Sequence, residues 1–127
     1  VASFRSPERA VGEPVRGTEK LTRANWVACA GNVDGNRVTA VMFSHPQNIR
    51  HPASWFTMDK PFAYQSATLN LWKQPLTLER NETLSLTFGV ALTNGDIPVE
   101  QIESLSDRWI KSLSDEFPIS SLSRSSE

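Results

Sequence analysis

Both histidines of the chain lie within one seven-residue segment, H-P-Q-N-I-R-H, which runs from His45 to His51. Asn48 and Arg50 lie between them, and Trp55 follows shortly afterwards. Imidazoles can transfer protons or bind metals, amide and guanidinium groups can donate hydrogen bonds to hydroxyls or a carboxylate, and an indole can stack on a sugar ring. We therefore expect His45 and His51 to be catalytic, and Asn48, Arg50 and Trp55 to bind a substrate.

The backbone around these side chains is rich in proline, at positions 46, 52 and 61. We expect residues 45–61 to be irregular, and prolines would lower the entropic cost of holding the side chains in place. The same composition is also typical of ordinary loops, and Trp55 could equally belong to the core. The clustering of several functional side chains favours a ligand site along residues 45–55.

Other chemistries find little support in the sequence. Two histidines do not complete a tetrahedral catalytic zinc site, and no spacing requires Asp34 or Asp59 as a further ligand. Cys29 is the only cysteine, which excludes an intrachain disulfide, and we expect it to be a buried structural thiol. No glycine-rich phosphate loop, nucleophile elbow or His-Glu-x-x-His motif occurs. We expect neither a metal nor an organic cofactor.

Length and charge limit the class of protein further. The chain has 127 residues, which fits one domain, and its formal net charge is −1. It contains no basic stripe, so we expect no nucleic-acid partner. No apolar run approaches the roughly 20 residues that a membrane helix needs. We expect a soluble domain whose compartment stays open; a periplasmic or secreted location is compatible with the sequence.

Apolar alternation and turn residues predict a mainly β fold. The strands are expected at residues 24–31, 37–44, 67–72, 76–79 and 84–93. Asp34 and Gly35 predict a tight hairpin turn between the first two strands. The continuous apolar centre of 37–44 predicts burial on both faces. In the last strand the period-two pattern places one set of side chains inward: Leu84, Leu86, Phe88, Val90 and Leu92.

An amphipathic helix is expected after these strands. Apolar residues recur at helical spacing at Val99, Ile102, Leu105, Trp109, Ile110 and Leu113. Pro98 suits the first turn, and Pro118 ends the helix at about residue 117. Trp109 and Trp72 are both expected in the core. Residues 1–20 are expected as a lead-in segment, 21–117 as the β domain with its helix, and 118–127 as a disordered Ser-rich tail.

The segment from residue 17 to about residue 113 resembles a bacterial family of uncertain function, often labelled "methane oxygenase PmoA". The most specific resemblance is the string H-P-x-N-x-R-H-P-x-x-W at residues 45–55. It is accompanied by A-N-W-V at 24–27, by Gly31 with Asp34-Gly35, by Leu84-x-Leu86 and by Gly95-Asp96. The resemblance implies a β-sandwich, similar in outline to the galactose-mutarotase superfamily, and an association with carbohydrate use. A membrane methane monooxygenase would need spanning helices and more metal ligands than this chain offers.

The family's usual chain is about twice as long, so the resemblance implies an incomplete sandwich. We therefore expect an antiparallel β-sandwich with one C-terminal helix, as a homo-oligomer or in complex with the remainder of a longer chain. Its loop 45–55 would bind or convert a sugar or sugar acid. The alternatives are a non-catalytic sugar-binding module and a structural or assembly domain. Catalysis predicts a histidine with a perturbed pKa in a closed pocket, whereas a binding module predicts an open aromatic platform.

Overall fold

The computed structural model describes residues 2–116, and the side chains of residues 2–114. This part of the chain forms eight strands and one helix. The elements are β1 (Ser3–Arg5), β2 (Gly12–Pro14), β3 (Lys20–Ala24), β4 (Trp26–Val33), β5 (Asn36–Ser44), β6 (Ala53–Met58), β7 (Tyr64–Thr68), β8 (Phe88–Asn94) and α1 (Val99–Glu116).

The strands form two antiparallel four-stranded sheets. Sheet A has the order β1-β4-β5-β8, and sheet B has the order β2-β3-β6-β7. One face of sheet A packs against α1 through a buried cluster that contains Trp26, Ala28, Val41, Phe43, Ile97 and Ile102. Its other face packs against sheet B through a second cluster, which contains Ala24, Val27, Met42, Trp55 and Ala67. The predicted mainly β fold with a C-terminal helix is confirmed, and its arrangement is consistent with a β-sandwich.

The β4–β5 hairpin forms as predicted. Asp34 and Gly35 both have positive φ angles, of 50° and 81°, which the tight hairpin turn requires. In β5, Val41 is buried towards α1, while Met42 packs towards sheet B. Successive side chains of β5 thus pack against α1 on one face and sheet B on the other, which explains why its apolar run is continuous.

The prediction that residues 45–61 are irregular is wrong for β6. This strand pairs with β3 on one side and β7 on the other. Pro52 immediately precedes it and Pro61 follows it, so the prolines delimit the strand and do not exclude it. The irregular part is confined to residues 45–52 and to the connection after Met58.

The region between β7 and the helix also differs from the prediction. The strand β7 ends at Thr68, and residues 69–87 form no strand. Asn70 and Asn81 adopt positive φ angles of 57° and 71° in this connection, where the chain turns. The strand expected at 67–72 is displaced to β7, the one expected at 76–79 is absent, and the one expected at 84–93 is displaced to β8.

The inward and outward faces of β8 are the reverse of those predicted. Gly89 is buried and Ala91 packs towards α1, whereas Val90 and Leu92 are 64% and 72% exposed. A Cβ on Gly89 would lie 2.6 Å from an indole carbon of Trp109. The small residues face the helix because only they leave room for that ring.

Residues 1–20 contribute β1 to sheet A and β2 to sheet B. The helix α1 begins after Pro98, as expected, and Ile102 is fully buried beneath it. Within the described chain, no helix is long and apolar enough to cross a membrane. The predicted disordered tail, 118–127, lies outside the described residues.

Candidate functional site

The side chain of Asn48 joins the loop before β6 to the segment before β8 by hydrogen bonds. Its side-chain nitrogen donates hydrogen bonds to Ser44 Oγ at 3.0 Å and to the Thr87 carbonyl at 2.8 Å. Its side-chain oxygen accepts one from the Thr87 amide at 2.8 Å. Asn48 is buried, so these three bonds fix the loop where β5 ends.

Arg50 binds the connection that follows β7. Its Nη1 donates to the carbonyls of Leu69 at 2.8 Å and Gln74 at 2.6 Å, and its Nη2 donates to Pro75 at 3.1 Å. Arg50 itself has a φ of 61°, which is uncommon for a residue other than glycine. All three acceptors of the Arg50 guanidinium are neutral backbone carbonyls, and these hydrogen bonds hold the connection after β7 in place.

Arg23 of β3, which the sequence analysis missed, lies beside the same loop. Its Nε and Nη2 donate to the Pro52 carbonyl at 3.3 and 3.2 Å, and Nη2 also donates to the Arg50 carbonyl at 3.4 Å. In the sequence an arginine within K-L-T-R-A is typical of a solvated strand face. Only the pairing of β3 with β6 places it at the loop, and no local pattern predicts that pairing.

Asn48, Arg50 and Arg23 line one cavity of about 360 Å³, which we call the arginine cavity. Its other polar lining residues are Ser44, Ser54, Thr68, Asn70 and Gln74. An apolar wall is formed by Ile49, Leu69, Leu86 and Phe88, together with two alanines. No aspartate or glutamate lines it within the described chain, so the cavity has two cationic groups and no anionic one.

Neither arginine is neutralised by a carboxylate elsewhere in residues 2–114. The ion pairs of this region join Arg16 to Glu19 and Arg37 to Asp96, both at other positions. The partners of Arg23 and Arg50 are backbone carbonyls. The side chains that line the arginine cavity therefore carry a net positive charge, which favours an anionic ligand.

His45 lies under the helix and does not line the arginine cavity. It is 1% exposed, and its ring meets the Trp109 ring edge-on at 6.0 Å. Its Nδ1 accepts a hydrogen bond from the Gln47 amide at 3.1 Å, which places the proton of the neutral ring on Nε2. Burial lowers the pKa of His45, and the charge of His51 lowers it further.

His51 lies on a different groove, beside Arg23 and Pro52, with Pro7 and Ala10 on its other side. Its Nδ1 is buried without a hydrogen-bond partner among the described residues. Burial lowers the pKa of His51, and the positive charge of Arg23 lowers it further. The structure thus brings Asn48 and Arg50 to one cavity and leaves both histidines outside it.

Trp55 is unsuited to the stacking role predicted for it. It is 0% exposed, and its indole nitrogen donates to the Ala24 carbonyl at 2.7 Å. The alternation of β6 turns Trp55 towards sheet A, where its ring also meets Phe88 edge-on at 6.2 Å. Its face is used in the core and is closed to a ligand.

Cys29 and the acidic residues form no further site. Cys29 is half-buried in β4, more accessible than predicted, and burial raises the pKa of its thiol, with Asp59 raising it further. A raised pKa disfavours the reactive thiolate. Within the described residues, no group of three histidine, cysteine, aspartate or glutamate side chains is placed to hold a metal.

Residues 2–107 match the model of a family described as "Family of unknown function (DUF6807)". The match covers most of the chain, and the chain belongs to this family. Searches of curated proteins and of solved structures gave no match. The family description names no activity, so the resemblance to the family labelled methane oxygenase stays a prediction.

Proposed function

We propose that this member of a family of unknown function binds a sugar acid in the arginine cavity. The observation that carries the proposal is the pair of guanidinium groups, Arg23 and Arg50, in a cavity without an acidic residue. A ligand carboxylate would supply the missing negative charge. Asn70, Gln74 and Thr68 line the same cavity and offer donors and acceptors for hydroxyl groups.

Donors remain for such a ligand after the protein's own hydrogen bonds are made. Arg23 binds carbonyls through Nε and Nη2, and no described residue accepts from its Nη1. Arg50 likewise makes its three bonds through Nη1 and Nη2 only. Hydrogen bonds between a guanidinium and a carboxylate are charge-assisted and stronger than those between neutral groups.

The positions of the histidines favour a binding domain over an enzyme. His45 and His51 lie outside the lining of the cavity, so neither is placed to exchange a proton with a ligand held there. The lowered pKa of each has burial as its main cause. Among the alternatives, the non-catalytic sugar-binding module has more support than an enzyme that converts the sugar.

Isothermal titration calorimetry with glucuronate and with glucose tests the proposal, since the two differ chiefly in the carboxylate. We expect glucuronate to bind at least about tenfold more tightly, because a charged hydrogen bond contributes about 1.5–3 kcal/mol. Equal affinities would show that the carboxylate is not recognised. An absence of binding by both would reject a sugar-acid site.

Two variants test whether the affinity for glucuronate depends on the arginine cavity. Arg23→Gln keeps hydrogen-bonding capacity but removes the charge, and we expect it to weaken glucuronate binding about tenfold or more. Arg80→Gln changes an exposed arginine that does not line the cavity and should have no effect. Thermal melts of both variants establish that they are folded. An equal loss of glucuronate affinity in the two variants would contradict the assignment of the arginine cavity as the binding site.

A further inference from the structure

A second cavity, of about 560 Å³, lies on the outer face of sheet B. We call it the aromatic groove. Its ring-bearing residues are Phe56, Phe62, Tyr64 and Trp72. No charged side chain lines it in the described chain, and its polar lining is limited to Ser66, Thr68 and Asn70 apart from the Tyr64 hydroxyl. The groove therefore suits an uncharged ligand that presents an apolar face to the rings.

The strands of sheet B hold these rings in place. Phe56 is paired with Leu21 of β3 and Ser66 of β7, on the face opposite Trp55. The Tyr64 ring meets Phe56 edge-on at 6.0 Å and Phe62 edge-on at 6.3 Å. Contacts of this kind favour a particular arrangement of these rings.

Trp72 is the most accessible part of the groove. It was expected in the core but is 75% exposed, on the connection after β7. Lys73 Nζ lies 5.6 Å from the centre of its ring. Arg50 binds the carbonyls of Leu69 and Gln74 on either side of it, so the segment that carries Trp72 is tied to the arginine cavity.

The two cavities share part of their lining. Thr68 and Asn70 belong to both the arginine cavity and the aromatic groove. Asn70 Oδ1 has no hydrogen-bond donor among the described residues. A ligand that fills the arginine cavity and extends past these two side chains would reach the rings of the groove.

We infer that the ligand is an oligosaccharide, with its acidic unit in the arginine cavity and an adjoining neutral unit on the aromatic groove. This inference rests on the proposed sugar-acid site. The apolar face of a sugar ring packs on aromatic rings, and its hydroxyl groups would reach Ser66, Thr68 and Asn70. Apart from Lys73, whose ammonium group lies over the Trp72 ring, the groove carries no charge within the described residues, which favours a neutral second unit.

The test compares glucuronate with two disaccharides that join glucuronate to xylose, with the acidic unit at one end or the other. By calorimetry, we expect at least one disaccharide to bind about tenfold more tightly than glucuronate. The added affinity would come from the apolar surface that the second sugar ring buries against the aromatic rings. Trp72→Ala should remove this advantage and leave the affinity for glucuronate unchanged. Leu92→Ala removes an equally exposed apolar side chain on β8, outside the groove, and should change neither affinity.

The outcomes separate the inference from the proposed function. If glucuronate binds but the disaccharides bind no better, or Trp72→Ala leaves their advantage intact, the groove is not a sugar subsite. If no acidic sugar binds, the proposed function itself fails. The groove could instead be covered by a second copy of this chain, and light scattering of the native chain and of Trp72→Ala tests this. A native dimer that becomes a monomer in Trp72→Ala would overturn the inference.

Discussion

At the scale of single residues, Asn48 has the most constrained position in the candidate site. Its amide makes three hydrogen bonds that join Ser44 at the end of β5 to Thr87 before β8. The same side chain lines the arginine cavity. Asn48 therefore connects the packing of the fold to the shape of the cavity, and its removal affects both.

We predict that Asn48→Ala lowers the free energy of unfolding by about 2–4 kcal/mol, because it leaves buried hydrogen-bonding groups of Ser44 and Thr87 without partners. Urea denaturation measures the change. Asn32→Ala, at an exposed position of β4, is the control and should change stability by less than about 0.5 kcal/mol. Similar small effects for both variants would mean that water replaces the bonds of Asn48.

The two histidines predict a pH dependence of stability. Burial is the main cause that lowers the pKa of His45 and of His51 below the ordinary value of 6.5. The unfolded chain therefore binds protons more readily, and stability is complete above about pH 6.5 and falls as the pH drops towards the folded-state pKa values.

Urea denaturation from pH 7.5 to pH 5 measures this dependence, with a slope of at most about 1.4 kcal/mol per pH unit for each excluded proton. The His45→Gln/His51→Gln double variant should have a shallower slope than the native chain. An unchanged slope in that variant would assign the pH dependence to other groups.

The sequence predicted part of the candidate site for a clear physical reason. Asn48 and Arg50 stand out because they are close to each other in the chain and among prolines. Arg23 joins them only through the β3–β6 register, which is set by tertiary packing. The burial of Trp55 could not be read from the sequence, because Pro52 and Pro61 favour a loop there, whereas β6 is a strand paired with β3 and β7.

At the scale of elements, the contact between β8 and α1 decides which face of the strand is buried. The Trp109 ring lies over Gly89 and stacks on Phe43 with 5.6 Å between ring centres. Apolar alternation alone favoured burial of Val90 and Leu92, but the helix presents a ring too large for any side chain beneath it. The β4–β5 hairpin with its local turn was predictable, whereas this non-local fit was not.

We predict that Gly89→Ala is destabilising, by about 1–3 kcal/mol, because the added Cβ overlaps the Trp109 ring. Gly31→Ala is the matched control in the same sheet, since a Cβ at Gly31 meets nothing within 4 Å. We expect it to change stability little. Thermal melts compare the two, and equal stabilities would mean that the helix moves away at no cost.

At the scale of the whole molecule, sheet A has one long edge strand without a neighbour among the described residues. The strand β8 is seven residues long, lies at the end of sheet A, and has no charged residue and no proline. Val90 and Leu92 project from it into solvent. Edges of this kind pair readily with another chain. The expected homo-oligomer stays a prediction, and β8 is the edge at which we expect the contact.

Light scattering tests this expectation. We predict a mass of twice 14.2 kDa for the native chain, and a monomer for Val90→Lys, since a charge at the edge opposes pairing. Val11→Lys introduces the same charge at an exposed valine outside β8 and should leave the dimer intact. A native monomer, or a dimer that Val90→Lys does not disturb, would contradict pairing through β8.

Whether the arginine cavity is the sugar-acid site can be measured most directly by NMR titration of the side-chain Nε–H groups of arginine with glucuronate. Arg23→Gln and Arg50→Gln identify the two resonances by their disappearance. We expect glucuronate to shift the Arg23 and Arg50 signals along one saturating curve, and to leave the exposed Arg80 signal in place. Binding that shifts neither Arg23 nor Arg50 would place the ligand elsewhere and contradict the proposed function.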